Sequence, residues 1–278
     1  MNETLEAKKT FLDRYLGSLE RVVVGYSGGV DSAVLAVAAH RVLGPRSLAV
    51  TAVSPSLAKR ERVGAAELAR QLGFPHREVS THELEREEYA RNSSDRCFWC
   101  KTELFEVLEP NANERSSTIA VGTNCDDLGD HRPGIEAARL NRVAAPLVEA
   151  GFSKADVRAL AREWGISVAE KPASPCLASR FAYGVRVTEE GLRRIDEAEE
   201  VIRDLGFEVL RVRDHGDLAR VEVPAGDLSK AVSLASIIED RLRDLGFRYV
   251  TLDLSGFMSG SLNAVLEGPS IRRPDRGD

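Results

Sequence analysis

Residues 22–33, VVVGYSGGVDSA, pass from a hydrophobic strand pattern through Ser27-Gly28-Gly29-Val30-Asp31-Ser32 into an apolar helical pattern. Two adjacent glycines let the backbone approach a ligand closely, and the helix behind them aims unpaired N–H groups and its positive dipole end at an anion. A nucleotide's phosphate chain is the expected anion. The Walker spacing G-x-x-x-x-G-K-[ST] is absent, and Gly25 with Gly28 does not complete G-x-G-x-x-G, so neither kinase-type nor dinucleotide chemistry follows. The bland alternative, a tight strand-to-helix turn, gives the flanking Ser27, Asp31 and Ser32 no purpose.

Residues 21–26, 48–54, 77–79 and 118–122 read as short apolar strands, separated by helical patterns at 30–43, 58–72 and 99–108. This alternation implies an α/β fold with a parallel sheet, whose ligand crevice lies beyond the carboxyl ends of the strands. The loops 27–31, 53–55 and 122–130 all fall at such ends, so Val53, Gly122 and Asp127 join the loop residues as candidates. Ser153 is an expected N-cap for a helix running to Trp164. From 170 to 184, EKPASPCLASRFAYG is aperiodic and Pro-rich, and reads as a loop carrying a cysteine rather than part of the core. Beyond it, a helix at 188–205, strands at 208–213 and 219–223, a helix at 227–245 and a strand at 249–254 form a smaller α+β unit. The expected organisation is a nucleotide domain at 1–170, a linker at 171–186, the α+β domain at 187–267 and a tail at 268–278. Leu-Gly-Phe occurs at 72–74, 205–207 and 245–247, each time after a helix, and reads as shared helix-stop chemistry rather than a repeat.

With 43% hydrophobic and 29% charged residues the chain can bury a full core. No stretch approaches the about 18 to 20 apolar residues of a membrane span, and a cytoplasmic location is expected. The net charge of -6 argues against a nucleic-acid footprint. Four cysteines, at 97, 100, 125 and 176, do not make a disulfide scaffold. Cys97-Phe98-Trp99-Cys100 by itself suits a redox dithiol, half a zinc site or part of an iron–sulfur site. Cys176 sits among small residues, with Lys171 and Arg180 nearby in sequence to favour a thiolate. A buried small hydrophobe is the plain reading of Cys125.

The Ser27–Ser32 string resembles the PP-loop ATP pyrophosphatases, which attack ATP at the α-phosphorus. Arg96-Cys97 with Cys100-Lys101, Gly122-Thr123-Asn124 with Asp126-Asp127, Pro133-Gly134 and Lys171-Pro172-Ala173-Ser174-Pro175-Cys176-Leu177-Ala178-Ser179-Arg180 are similar, in order and to Gly256-Phe257, to the LarE family. The resemblance implies an ATP-dependent sulfurtransferase for nickel-pincer cofactor synthesis. Its substrate would be pyridinium-3,5-biscarboxylic acid mononucleotide, whose carboxylate is adenylylated and then thiolated.

The resemblance also implies the roles. Ser27, Gly28, Gly29, Asp31, Ser32, Val53, Lys101, Gly122 and Asp127 would bind ATP, with Mg2+ on Asp31 and Asp127. Ser179, Arg180, Glu199, Arg211, Arg213 and Glu222 would bind the mononucleotide. Two sulfur sources follow: Cys97, Cys100 and Cys176 holding a 4Fe-4S cluster, or Cys176 surrendering its own sulfur. The three-cysteine pattern favours the cluster. A homo-oligomer is expected, with no nucleic-acid or membrane partner. The rival readings are a tRNA thiouridine synthetase, an amide synthetase with the same loop, and a non-catalytic nucleotide-binding iron–sulfur protein.

Overall fold

Val22, Val23 and Val24 point alternately into two different cores, and that alternation places the first strand at the centre of a layered sheet. The computed structural model describes residues 4–129, 133–172 and 174–258. It divides into two units, Met1–Cys176 and Leu177–Asp278.

In the first unit, strands β1 (Val22–Gly25), β2 (Ser47–Val53), β3 (His76–Ser80) and β4 (Thr118–Val121) form a wholly parallel sheet in the order β3-β2-β1-β4. Its helices are α1 (Leu5–Ser18), α2 (Val30–Leu43), α3 (Lys59–Leu72), α4 (Glu87–Ala90), α5 (Arg96–Arg115), α6 (Pro133–Leu140), α7 (Pro146–Glu149) and α8 (Lys154–Glu163). Val22, Val24 and Ala49 pack with α1, α2 and α8 on one face. Val23, Leu48 and Val50 pack with Leu108 and Ala112 of α5 on the other. Strand order reverses at β1, with β2 on one side and β4 on the other, so the loops after β1 and β4 open at the position where such sheets bind ligands.

In the second unit, α9 (Glu189–Asp204), α10 (Leu228–Ser233) and α11 (Ala235–Asp244) accompany a three-stranded sheet. Its strands are β5 (Arg211–Asp214), β6 (Leu218–Glu222) and β7 (Tyr249–Leu252), with β5 antiparallel and β7 parallel to β6. Ala198, Ile202, Phe207, Val212, Val221, Leu242 and Phe247 fill its core.

The α/β class with a parallel-sheet domain and a smaller α+β unit is observed. Three local expectations are corrected, and one helix is added. The helix expected at 99–108 spans Arg96–Arg115, so both cysteines of the C-x-x-C lie within its first turns. The helix expected at 227–245 is two helices meeting at Leu234, whose backbone leaves the helical region (φ -103, ψ 10). The helix α1 had no sequence expectation, because only Leu12 and Leu16 of its 14 residues are buried and the apolar stripe is thin. The segment read as a non-core loop contains a 3₁₀ turn, Leu177–Arg180, with Leu177, Ala178 and Arg180 all buried.

The three Leu-Gly-Phe stops have Gly73, Gly206 and Gly246 at φ +74°, +85° and +94°. Their phenylalanines are buried behind the helix ends. The tail at 268–278 lies outside the described residues.

Candidate active site

The loop after β1 closes on itself through Ser32. Its hydroxyl donates to the Gly29 carbonyl (3.0 Å), accepts from the Ser27 amide (3.2 Å) and lies 3.2 Å from the Ser27 hydroxyl. The Ser32 side chain therefore shapes the loop, leaving the backbone N–H groups at the start of α2 as its anion donors. Gly28 sits at φ +74°, and a Cβ there would stand 2.8 Å from the Ala65 Cβ of α3. Gly122, at the end of β4, approaches α2 so closely that a Cβ would meet the Asp31 carbonyl carbon and the Ser32 nitrogen at 2.8 Å. Both positions exclude a side chain.

Asp31, in the first turn of α2, accepts from Asn124 Nδ2 (3.2 Å) and Lys154 Nζ (2.5 Å). The Asp127 carboxylate accepts from the Asn124 amide (3.1 Å), and Asp126 accepts from the Lys154 amide (2.9 Å). Thus Gly122, Asn124, Asp126 and Asp127 are drawn to the mouth of the β1 loop, as their place after β4 demands. Val53 closes β2 at the same sheet edge.

Sequence reasoning missed Lys154 and quoted Asn124 only within a motif, with no role of its own. A signal for the lysine was present: a cation in the first position of α8 opposes the helix dipole, and its ion pair with Asp31 supplies the compensation.

Cys97 is exposed, whereas Cys100 and Cys176 are partly covered, and none of the four cysteines forms a disulfide. Burial, reinforced by the Cys176 sulfur, pushes the Cys100 thiol up to about 12, with Lys101 opposing and Glu83 and Cys97 adding. Cys97, Cys100 and Cys176 therefore lie within electrostatic reach around Cys100. Gly134 brings α6 onto this turn of α5, since a Cβ there would stand 3.0 Å from Lys101 Cγ.

Cys125 is directed elsewhere, its Sγ 3.9 Å from the Val148 carbonyl. Lys171 pairs with Glu61 (2.6 Å) and Arg180 with Glu199 (2.8 Å), so each cation already meets a carboxylate.

Among the described residues, no three His, Cys, Asp or Glu side chains converge as ligands of a single metal ion. A cubane cluster asks for something different, because each thiolate takes a different iron and the sulfurs stand apart. Cys97 and Cys100 on the first turns of α5, with Cys176, are the thiols that would hold such a cluster. For magnesium, Asp31 and Asp127 offer the hard oxygens of a site completed by substrate phosphates.

In the second unit the charged candidates are buried. Arg180 Nε and Nη2 donate to Glu199 (2.8 and 3.0 Å), and Glu199 also accepts from Arg203 (3.3 Å) and the Val212 amide (3.2 Å). Arg213 forks onto Glu222 through two 2.9 Å bonds and donates to the Ser179 carbonyl at 2.8 Å. The Ser179 hydroxyl accepts from Arg180 (2.9 Å). Five of the six proposed substrate contacts thus form one network.

Arg211, the sixth, lies over the Phe257 ring at 5.1 Å. Burial, together with Arg180, lowers its guanidinium to about 10; Glu199 opposes this, and Arg213 and Arg203 add to it. It remains charged, with Arg180, Arg203 and Arg213 as well as Glu199 around it.

Residues 4–118 match the NAD synthase family. An uncharacterized protein of Synechocystis sp. is 42% identical over 265 residues, covering 94% of this chain and 99% of its own. The pyridinium-3,5-bisthiocarboxylic acid mononucleotide synthase of Lactiplantibacillus plantarum is 37% identical over 265 residues, covering 95% of this chain and 96% of its own. The tRNA-specific 2-thiouridylase MnmA of Xanthobacter autotrophicus is 33% identical over 194 residues, covering 55% of this chain and 49% of its own. A likeness that runs the full length of both chains, joined to a parallel sheet opening on a Ser-Gly-Gly-Val-Asp-Ser loop, shows that this chain belongs to the LarE family of PP-loop proteins.

Proposed function

We propose that the protein is an ATP-dependent sulfurtransferase that converts the carboxylate of pyridinium-3,5-biscarboxylic acid mononucleotide to a thiocarboxylate for nickel-pincer cofactor synthesis. The observation that carries this reading is the full-length relationship to the mononucleotide synthase, with Cys176 grouped beside Cys100 in the nucleotide-binding unit. A carboxylate is a poor electrophile until one oxygen becomes a good leaving group. Its oxygen would attack the α-phosphorus of ATP and release pyrophosphate. Sulfur would then attack the acyl carbon, and AMP would leave.

The α2 N-terminus, with Ser27, Gly28 and Gly29, would receive the phosphates, and Lys101 would stabilise charge in adenylyl transfer. Magnesium, held by Asp31 and Asp127, would neutralise the phosphate chain. Arg211 would bind the mononucleotide phosphate beside the Arg180–Glu199 and Arg213–Glu222 pairs. A 4Fe-4S cluster on Cys97, Cys100 and Cys176 would supply sulfur without consuming the chain. Cys176 acting alone would surrender its own sulfur and become dehydroalanine. A cytoplasmic homo-oligomer is the setting this reading expects. A tRNA substrate is disfavoured by the net charge of -6, since phosphate backbones are gripped by surplus cations.

The test is anaerobic purification, assay of iron and acid-labile sulfide, and counting of turnovers on the mononucleotide. Repeated thiolation that stops in Cys97→Ala, with pyrophosphate release preserved, supports the cluster route. A single turnover with loss of the elements of hydrogen sulfide at Cys176 selects the sacrificial one. No mononucleotide-dependent pyrophosphate release would overturn both.

A further inference from the structure

One buried carboxylate ties together the carboxyl ends of β2 and β3. Glu83, in the 3₁₀ turn that follows β3, is 3% exposed. Its Oε1 accepts from the hydroxyls of Ser54 (2.5 Å) and Ser56 (2.7 Å), both in the loop that leaves β2, and the Ser56 amide donates to the Ser54 hydroxyl (3.2 Å). The Thr81 amide donates to the Val53 carbonyl (3.0 Å) and closes the same join from the backbone. Among the described residues, Oε2 receives no hydrogen bond, and no Lys, Arg or His forms an ion pair with this carboxylate. Arg86, three residues further on, is turned to Glu103 (2.6 Å) and Glu106.

A carboxylate is kept from water only at a cost, which donors must offset. Each of its oxygens carries two lone pairs, so the two serine hydroxyls fill Oε1 and leave Oε2 as a lone acceptor. Its place in the fold decides which donor it meets. Val53, one residue before Ser54, ends β2 beside the β1 loop, and Gly28 of that loop packs on Ala65 of α3, the helix into which residues 54–58 lead. The β2 loop thus walls the phosphate loop. Strand β3 stands two strand spacings, about 10 Å, from β1. A nucleotide with its phosphates on the α2 N-terminus and its base directed toward β3 brings the edge of the base to this wall.

We propose that Glu83 selects the nucleobase, its Oε2 accepting a hydrogen bond from the exocyclic amine of adenine. This deepens the ATP-dependent reading and rests on it. Hypoxanthine and guanine carry a carbonyl oxygen at that position, which would face the carboxylate acceptor to acceptor. Carboxylates also grip guanine through its ring N–H and its amine together, but that takes both oxygens, and Oε1 is spent on the serines.

Glu83→Gln keeps a carbonyl oxygen for the two serines and turns the free acceptor into a donor. Calorimetric titration with magnesium–ATP and magnesium–ITP reads the result. The parent should bind ATP about tenfold or more tightly than ITP, the worth of one hydrogen bond to a charged group. In Glu83→Gln the affinity for ATP should fall and that for ITP should rise, so that the preference is lost or reversed. A residue that only holds the β2 loop in place would weaken both nucleotides alike and leave their ratio unchanged. A second measurement needs no variant: purine riboside triphosphate, with hydrogen in place of the amine, should bind the parent about tenfold less tightly than ATP.

The proposal is overturned if the parent binds purine riboside triphosphate as well as ATP, if it prefers GTP, or if Glu83→Gln leaves the ratio of ATP to ITP affinity unchanged. Binding of no triphosphate at all would overturn the ATP-dependent reading and this inference together. Selection of ATP without pyrophosphate release on adding the mononucleotide would overturn the sulfurtransferase reading alone.

Discussion

The two cysteines of the C-x-x-C share a helical turn but not an environment. Cys97 is exposed, and Cys100 is partly covered, with its thiol raised to about 12. In metal-free protein at pH 8, iodoacetamide should label Cys97 well before Cys100, because the thiolate is the reacting form. Peptide mapping of a time course checks this, and equal labelling would place Cys100 in a different setting.

A second residue-scale expectation concerns Arg180, which is 2% exposed and forked onto a carboxylate that is 1% exposed. Removing one member of a buried pair strands the other charge, so Arg180→Met should cost about 3–5 kcal/mol in urea unfolding. Adding Glu199→Leu to it should recover part of that loss. The sequence named Arg180, Glu199, Arg213 and Glu222, yet it could not say that they pair with one another. Charged residues on strands and helices are ordinarily solvated, and only the tertiary fold shows these four buried.

At the scale of elements, the site depends on how closely β4 comes to α2. Gly122→Ala places a methyl group against backbone that cannot yield, so the strand end must shift by tenths of an ångström. A loss of about 1–3 kcal/mol is expected, the usual size for overpacking. It should be joined by weaker ATP binding, read as a reduced thermal shift on adding magnesium–ATP. An unchanged shift would mean that the loop tolerates the displacement.

Elements with strong local signals were legible. The strands of the parallel sheet, α2 over its full span of Val30–Leu43, and the capped start of α8 all follow from apolar period and capping chemistry. Helices carrying little apolar stripe were not. The marginal α1 and the four-residue α4 have no period to read. Likewise Lys154 was visible only as a residue after an N-cap, since its partner Asp31 lies 123 positions away.

For the molecule as a whole, acid should loosen the second unit only once it reaches the carboxylate range. Glu199 is held below its ordinary value of 4.5: burial opposes this, and the Arg180 hydrogen bonds and charge, with Arg211 and Arg203, outweigh it. A depressed folded value means that the unfolded chain takes up the proton first. The pair's contribution is therefore complete above the ordinary value and disappears as pH falls through the lower, folded one. Urea midpoints should hold between about pH 7 and 5 and decline below about pH 4. Glu199→Gln should be less stable at neutral pH and show a shallower acid limb. An acid limb as steep as the parent's would remove Glu199 from the account.

The Asp31–Lys154 ion pair gives the mouth of the β1 loop a resident cation of its own. On the proposed reading, loading would then be a cation exchange rather than an addition: a divalent ion must displace the ammonium, and the ammonium must find a new anion. A polyphosphate provides one and a bare metal salt does not. Such an arrangement would keep the cleft indifferent to ambient magnesium until the nucleotide arrives with it.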